Sequence, residues 1–178
     1  QRRSQAQSGV DARQAVITVP ANSKGRARHR TKICAGMGGF EVLSLINEPT
    51  AAAMAYAQSH PDARRYLVFD WGGGTLDVTV LEAIDGVFIE QASSGIGRSG
   101  GLDFDARLSK AVIEATGSTD KWTTQQKRNF RLEVELAKIR LSTQESATIQ
   151  LPDGGNHQVT RRRFEEIVQP IVDEAAVP

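Results

Sequence analysis

The segment Asp70-Trp71-Gly72-Gly73-Gly74-Thr75-Leu76-Asp77 carries the most informative pattern in this sequence. It connects two predicted strands, because β-forming apolar residues occupy positions 66–69 before it and alternate through 78–84 after it. Consecutive glycines allow backbone N–H groups to approach an anion closely, and Thr75 adds a hydroxyl donor. Asp70, at the end of a strand, can hold a hydrated Mg²⁺ beside phosphates. The segment therefore predicts a phosphate-binding loop that works with a divalent cation.

This loop differs from the two commonest glycine motifs that bind nucleotides. No Gly-Lys-Ser/Thr follows it, which excludes a Walker loop, and no helix opens directly after it, which excludes a dinucleotide fingerprint. A glycine-rich hairpin turn without a ligand is the alternative that three glycines alone would favour. The flanking Asp70, Asp77 and Thr75 favour the phosphate loop instead.

The rest of the chain predicts alternating strands and helices. Residues 16–19 are mostly β-branched and stop at Pro20, which predicts a buried strand, and Pro49 suits the first position of a helix to about Gln58. Asp85-Gly86 predicts a tight hairpin turn. Other predicted elements are helices over 25–38, 103–116 and 123–141, a hairpin over 147–160 and a last helix from residue 160.

Two of these helices have distinct surfaces. The helix over 25–38 carries basic residues at four-residue spacing, which predicts a solvated positive face. The helix over 123–141 has an apolar stripe that predicts its buried face. The basic residues are Lys24, Arg26, Arg28, Arg30 and Lys32, and the stripe is Phe130, Val134, Ala137 and Leu141.

Composition excludes several classes of protein. The 178 residues suffice for one ordinary domain or two small lobes, and 22 Lys and Arg balance 21 Asp and Glu, so no global field attracts nucleic acid or an anionic membrane. The single cysteine, Cys34, cannot form an internal disulfide and is predicted to be a buried thiol, which fits a reducing cytoplasm. No apolar run approaches the roughly 20 residues of a membrane span. A start without Met or an apolar core predicts a part of a longer chain.

Four further segments match the motifs of one known family in order and spacing. Strand-Asp-x-Gly-Gly-Gly-Thr-x-Asp-strand resembles the second phosphate loop of the superfamily of actin, sugar kinases and heat-shock ATPases. Together with that loop, the four segments resemble DnaK-type heat-shock chaperones. The segments are Ala15-Val16-Ile17-Thr18-Val19-Pro20-Ala21, Ile46-Asn47-Glu48-Pro49-Thr50-Ala51-Ala52-Ala53, Gly100-Gly101-x-Asp103-Phe104-Asp105 and Glu135-x-x-Lys138-x-x-x-Ser142.

The resemblance implies an α/β chain with the actin-like ATPase (ribonuclease-H-like) fold, incomplete and with parts of both lobes. Residues 1–65 would form the second half of the first lobe, and 66–99 the core of the second lobe with its phosphate loop and hairpin. Residues 100–164 would form the outer subdomain with an adenosine-facing helix, and 165–178 a truncated return helix. The first phosphate loop, the family's catalytic lysine, the late adenosine loop and the substrate-binding domain have no counterpart in this sequence.

The functional residues of the family carry over to matching positions. Glu48 would orient a water and the Mg²⁺ shell near the γ-phosphate, and Thr75 would meet that phosphate from the other side, so both are predicted to be catalytic. Asp70 and Asp77 are the predicted metal residues. The predicted nucleotide contacts are Asp70, Gly72, Gly73, Gly74, Thr75, Gly100, Gly101, Glu135, Lys138 and Ser142, and the predicted interdomain relay consists of Pro20 and Arg28.

The resemblance also implies cofactors and partners. The complete protein would bind ATP or ADP with Mg²⁺, with K⁺ as a further ion, and would hydrolyse ATP, whereas this chain alone is expected to be inactive. Unfolded client proteins, a J-domain co-chaperone and a nucleotide exchange factor would be its partners in the cytoplasm, without membrane or nucleic acid. Departures from the family pattern indicate a divergent member; they include Trp71, Arg98, Leu102 and Ile139.

Two other classes of function remain open at this point. A filament-forming actin relative or a sugar kinase shares the superfamily, although the segments around Glu48 and Lys138 argue against both. A nucleic-acid-binding module could use the basic positions 24–32 and 161–163, since basic clusters supply salt-sensitive affinity for phosphates. The balanced net charge and the lack of interleaved aromatic residues argue against that module.

Overall fold

The computed structural model describes residues 13–117 and 122–176. Its backbone divides into two compact units. Unit one contains the described residues up to Trp71 together with Thr75–Ile96, and unit two contains Gly72–Gly74 together with the described residues from Gly97 onward. The chain therefore leaves unit one at the three glycines and re-enters it at Thr75.

Unit one begins with a parallel strand pair joined by a helix. Strand β1 (Gln14–Val19) pairs with β2 (Glu41–Asn47), and helix α1 (Gly25–Met37) supplies the crossover that a parallel pair requires. Helix α2 (Glu48–Ala57) follows β2 directly, with Pro49 in its first turn as predicted. Proline suits that position because the first N–H groups of a helix have no intrahelical acceptor.

A three-stranded antiparallel sheet completes unit one. Its strands are β3 (Arg65–Trp71), β4 (Leu76–Ile84) and β5 (Val87–Ile96), in the order β3-β4-β5. Asp85 and Gly86 join β4 to β5 with φ angles of 50° and 81°. Positive φ at both central residues is the geometry that the Asp-Gly sequence predicted, so the hairpin is confirmed.

The two faces of this sheet differ in burial. Tyr66 and Leu81 are paired across β3 and β4 and pack with Ala53 of α2 in a small core. Leu67 and Phe69 alternate with these buried positions and are exposed. The ring of Phe69 lies 6.1 Å from that of Trp71 in an edge-on arrangement. Unit one therefore has one packed sheet face and one apolar face open to solvent.

In unit two, the described helices pack with a second hairpin. The strands of this hairpin, β6 (Ser146–Gln150) and β7 (Asn156–Thr160), are antiparallel, and the predicted hairpin is therefore confirmed. Among the helices that the structure describes, none combines the length and hydropathy that a membrane span requires. In chain order the elements are α3 (Gly101–Thr116), α4 (Thr124–Leu141), β6 (Ser146–Gln150), β7 (Asn156–Thr160) and α5 (Arg161–Ala176).

The core of unit two confirms the apolar stripe of α4. All four residues of the stripe are buried, and they contact buried residues of α3 and of the hairpin. Trp122 stacks at a tilt on Phe130, with ring centroids 4.9 Å apart. The buried cluster consists of Leu108, Val112, Phe130, Val134, Ala137, Leu141, Ala147, Ile149 and Val159.

The structure corrects two predictions in unit one. Cys34 is exposed rather than buried, because α1 contributes no buried residue and offers no apolar wall for the thiol. Strand β1 is only partly buried, since Val16 keeps 55% of its surface exposed while Val19 is buried. Strand β2 had no prediction of its own. The proposed lobe boundaries after residues 65, 99 and 164 stay predictions.

The core of unit two provides a test of this packing. Leu108 on α3 is fully buried, so Leu108→Ala should lower the free energy of unfolding by about 2–5 kcal/mol through lost burial and a cavity. Leu102→Ala on the same helix should cost less than about 0.5 kcal/mol, because Leu102 is 68% exposed. Urea unfolding followed by circular dichroism measures both. Equal losses in the two variants would contradict the assigned core.

Candidate functional site

Two aspartates face each other across strands β3 and β4. The register pairs Asp70 with Asp77, four positions along from the buried pair of Tyr66 and Leu81. Because side chains alternate with a period of two, both aspartates lie on the same face as that buried pair. Asp77 is 2% exposed, and Asp70 is partly buried. The sheet thus places two carboxylates side by side at one end of its packed face.

The carboxylate of Asp77 has an unusual environment. Among the described residues, its Oδ1 atom is buried and has no hydrogen-bond partner. A Cβ atom on Gly95 would lie 2.7 Å from this oxygen and 2.5 Å from the carbonyl oxygen of Leu76, so only glycine fits beside it. A buried carboxylate oxygen without a donor is costly unless a cation or an ordered water meets it.

Glu48 shares the electrostatic field of the two aspartates. It is the first residue of α2 and is partly buried. Burial raises the pKa of Glu48 above the ordinary value of 4.5, and the negative charges of Asp70 and Asp77 raise it further. A carboxyl group with a raised pKa can accept a proton near neutral pH more readily than an ordinary glutamate.

These acids fit a hydrated divalent cation better than a directly bound one. Within residues 13–117 and 122–176, no three His, Cys, Asp or Glu side chains come together at a distance suited to ligating a metal. Mg²⁺ usually keeps several of its waters and uses one or two carboxylates, which matches Asp70 and Asp77. The oxygen of Asp77 that lacks a partner would accept from such a water. Thr75, partly buried, immediately precedes β4 in the same unit.

In unit two, the glycine loop contacts the start of α3. The N–H of Gly101 donates to the carbonyl oxygen of Gly72 at 3.1 Å, and the N–H of Leu102 donates to that of Gly73 at 2.8 Å. A Cβ atom on Gly100 would lie 2.6 Å from backbone atoms of Gly73 and Gly74. Glycine at position 100 is therefore required for the loop to approach the helix so closely.

The predicted adenosine contact Lys138 already has partners in unit two. Its amine lies 2.8 Å from Oδ1 of Asp105 and donates to the carbonyl oxygen of Gly101 at 3.1 Å. Both side chains are mostly buried, with 20% of Lys138 and 16% of Asp105 exposed. The lysine thus connects α4 to the start of α3, and its amine is fixed beside the glycine loop rather than free in solvent.

The other two predicted residues of this helix face make different contacts. Glu135 is exposed and borders a cavity of about 720 Å³ between α3 and α4, whose apolar lining includes Ile113 and Trp122. Ser142 is the C-cap residue of α4, and its N–H donates to the carbonyl oxygen of Ile139. The spacing places all three predicted residues on one face, and only Lys138 contacts the loop region.

The predicted relay residues lie near the first strand pair. Pro20 directly follows β1 and is partly buried. Arg28 differs from the other basic residues of α1, because its guanidinium donates to the carbonyl oxygen of Ser23 and to the side-chain oxygen of Asn47. The predicted solvated positive face of α1 therefore excludes Arg28.

Three contributing residues were missed by the sequence analysis. Asp105 lies within a quoted motif but was given no role, and its pairing with Lys138 is what fixes that lysine. Gly95, which leaves room for Asp77, and Glu90, which accepts a hydrogen bond from Nδ2 of Asn47 at 2.9 Å, lie in β5. The sequence of β5 carries no turn or charge pattern that marks either residue. Contacts between segments distant in the chain cannot be read from local spacing.

Comparisons with known proteins identify the family of this chain. The family model described as Hsp70 protein matches residues 1–178. A chaperone protein dnaK of Emiliania huxleyi is 39% identical over 184 residues, and a chaperone protein DnaK of Prochlorococcus marinus (strain MIT 9515) is 40% identical over 183 residues. Each alignment covers 96% of this chain and 29% of the relative.

The mixed helices and strands, with the glycine loop between β3 and β4, define an incomplete α/β fold of the actin-like ATPase class. Within that class, the chain belongs to the Hsp70 family. It spans 29% of the length of the curated relatives that it matches. The resemblance to DnaK-type chaperones is therefore confirmed, and neither a filament protein nor a sugar kinase is among these two relatives.

The packing of Gly100 against the glycine loop can be tested directly. Gly100→Ala should lower the free energy of unfolding by about 1–3 kcal/mol, because the added methyl group meets backbone atoms that cannot move aside freely. Gly97→Ala is the matched control, since a Cβ atom there meets nothing within 4 Å. Chemical denaturation of both variants measures the difference. A Gly100→Ala protein as stable as the control would refute the close approach.

The raised pKa of Glu48 can be measured by NMR titration of its side-chain carboxyl carbon. Removing one neighbouring charge with Asp77→Asn should lower the pKa of Glu48, whereas Asp62→Asn, at an exposed position, should leave it unchanged. The native protein binds this proton more tightly than the unfolded chain, so the contribution of Glu48 to stability falls as pH rises from 4.5 through the folded pKa. An unaltered titration in Asp77→Asn would contradict the coupling.

Proposed function

We propose that this chain is the ATP-binding portion of a heat-shock chaperone, in which ATP binding and hydrolysis drive the binding and release of client proteins. The observation that carries the proposal is the group of acids in unit one, where Glu48 has its pKa raised by Asp70 and Asp77. The glycine loop connects the strands that hold these two aspartates. Family membership supports adenine nucleotide as the ligand of this combination.

In the proposed reaction, each residue has a separate task. Asp70 and Asp77 would hold the waters of a Mg²⁺ ion, and that ion would supply positive charge to neutralise the phosphates. The N–H groups of the glycine loop donate to phosphate oxygens, and the hydroxyl of Thr75 donates to the γ-phosphate. Glu48 orients the attacking water and accepts its proton. K⁺ is proposed as a further ion of the site.

Within unit two, we propose that α4 contributes the nucleoside contacts. Lys138, held by Asp105, would present its stem and one remaining donor to the adenosine, while Glu135 and Ser142 would accept from or donate to the ribose. Ile139 is 56% exposed and can only pack against a base, where a basic residue would stack on it. Gly100 and Gly101 would act through close packing, because the N–H of Gly101 already donates to Gly72.

The proposed partners follow from the family and not from any contact of this chain. They are unfolded client proteins, a J-domain co-chaperone and a nucleotide exchange factor in the cytoplasm. The proposed relay from nucleotide to substrate-binding domain uses Pro20 and Arg28. Since the chain matches 29% of each relative, hydrolysis is assigned to the full-length protein, and this chain alone is proposed to be inactive.

The proposal predicts that hydrolysis and binding separate by mutation in the full-length protein. Glu48→Ala and Thr75→Ala should each slow single-turnover ATP hydrolysis at least about tenfold, a loss of roughly 1.4 kcal/mol of transition-state stabilisation, with little change in ATP affinity. Gly73→Ala should weaken ATP binding itself, because a side chain there keeps phosphates away from the backbone.

Gly73 suits this comparison because a side chain at this position contacts no other part of the described structure. A Cβ atom on Gly73 meets nothing within 4 Å, so lost binding in Gly73→Ala would reflect the ligand and not the fold. Gly97→Ala, also in open space, is the control. Rapid-quench assays and calorimetry provide the two readouts. Parental hydrolysis rates in both Glu48→Ala and Thr75→Ala would show that the assigned catalytic roles are wrong.

A further inference from the structure

Asn47 occupies a position where asparagine normally caps a helix. It is the N-cap residue of α2 and directly precedes Glu48. An N-cap asparagine usually accepts a hydrogen bond from an N–H of the first turn, yet the side chain of Asn47 makes no such bond. The side-chain amide of Asn47 instead forms hydrogen bonds with other residues of unit one.

Both ends of that carboxamide bind charged side chains. The Nη2 of Arg28 donates to Oδ1 of Asn47, while Nε of the same guanidinium donates to the carbonyl oxygen of Ser23 at 3.0 Å. The Nδ2 of Asn47 donates to Oε2 of Glu90 at 2.9 Å. Helix α1, the start of α2 and strand β5 are thus joined through one side chain.

The charges allow only one orientation of the amide. With Oδ1 towards the guanidinium and Nδ2 towards the carboxylate, each end meets its complementary partner. A flipped amide would place Oδ1 against the carboxylate of Glu90, so that two acceptors face each other. It would also place Nδ2 against the guanidinium of Arg28, so that two donors face each other. Arg28 and Glu90 therefore select the same orientation, and a cation at position 90 would select the opposite one.

We propose that Glu90 is a positioning residue, which fixes the carboxamide of Asn47 and thereby the first turn of α2 that carries Glu48. The inference rests on the proposed catalytic role of Glu48, because the hydrogen bond of Glu90 goes to Asn47, the residue before Glu48. A carboxylate that orients water must be held closely, since small displacements of a catalytic group reduce rates strongly. Glu90 contributes that restraint from β5.

The first experiment examines the network in the 178-residue chain by NMR. In Glu90→Lys, the Asn47 side-chain amide and the Arg28 Nη2–H should both shift, because the lysine donates to Oδ1 of Asn47 and Nη2 of Arg28 loses that acceptor. Glu90→Gln retains an acceptor and should preserve both signals. Glu82→Lys is the matched control: it makes the same charge change on β4, and among the described residues Glu82 bonds to Arg65 and Gln91 rather than to Asn47. Unchanged signals in Glu90→Lys overturn the proposal.

The second experiment measures hydrolysis in the full-length protein. Glu90→Lys should slow single-turnover hydrolysis at least about threefold, with ATP affinity within about twofold, while Glu90→Gln and Glu82→Lys stay near the parental rate. A parental rate in Glu90→Lys, in a protein that hydrolyses ATP, overturns the positioning role. If the parental protein hydrolyses no ATP, the proposed function fails by itself. The NMR experiment on the 178-residue chain then decides, because unchanged Asn47 and Arg28 signals in Glu90→Lys overturn the proposal.

Discussion

The antiparallel register of β3 and β4 is the constraint on which the candidate site depends. Trp71, the last residue of β3, pairs with Leu76, the first residue of β4. The connection between the two strands therefore consists of the three glycines and Thr75. The same register places Asp70 opposite Asp77. A slip by one residue would turn one of these carboxylates to the opposite, open face of the sheet. Strand pairing thus sets both the number of residues in the connection and the pairing of the two aspartates.

Glycine serves two physical purposes around this register. At Gly73 and Gly74 the space for a side chain is open, so the absence of one leaves the backbone accessible. At Gly95 and Gly100 the space is already filled, by the carboxylate of Asp77 in one case and by the backbone of the loop in the other. The first pair suits an approaching ligand, and the second pair lets protein segments come together.

The sequence predicted the parts of this molecule that depend on local rules. The Asp-Gly turn at 85–86 has the positive φ angles that its sequence favours, and Pro49 lies in the first turn of a helix, where proline is tolerated. The apolar stripe of α4 follows the 3.6-residue period of a helix. All three predictions were confirmed. The predicted burial of Cys34 was wrong, because the burial of a helical residue depends on which elements pack against the helix and not on the adjacent residues in the sequence. Asp105 and Glu90 were missed for the same reason, since their partners lie 33 and 43 residues away in the chain. The assigned roles of Glu48, Thr75 and the nucleotide-binding residues stay predictions.

The placement of the two tryptophans has a practical consequence. The chain contains only two, and Trp71 belongs to unit one while Trp122 belongs to unit two. Trp71 lies beside Phe69 on the open sheet face, whereas Trp122 packs on Phe130 of a buried core. Each unit therefore carries its own intrinsic fluorophore, and both indoles are partly buried. Replacing one indole with phenylalanine at a time would give separate emission signals, and the two units could be followed individually through the same denaturation curve.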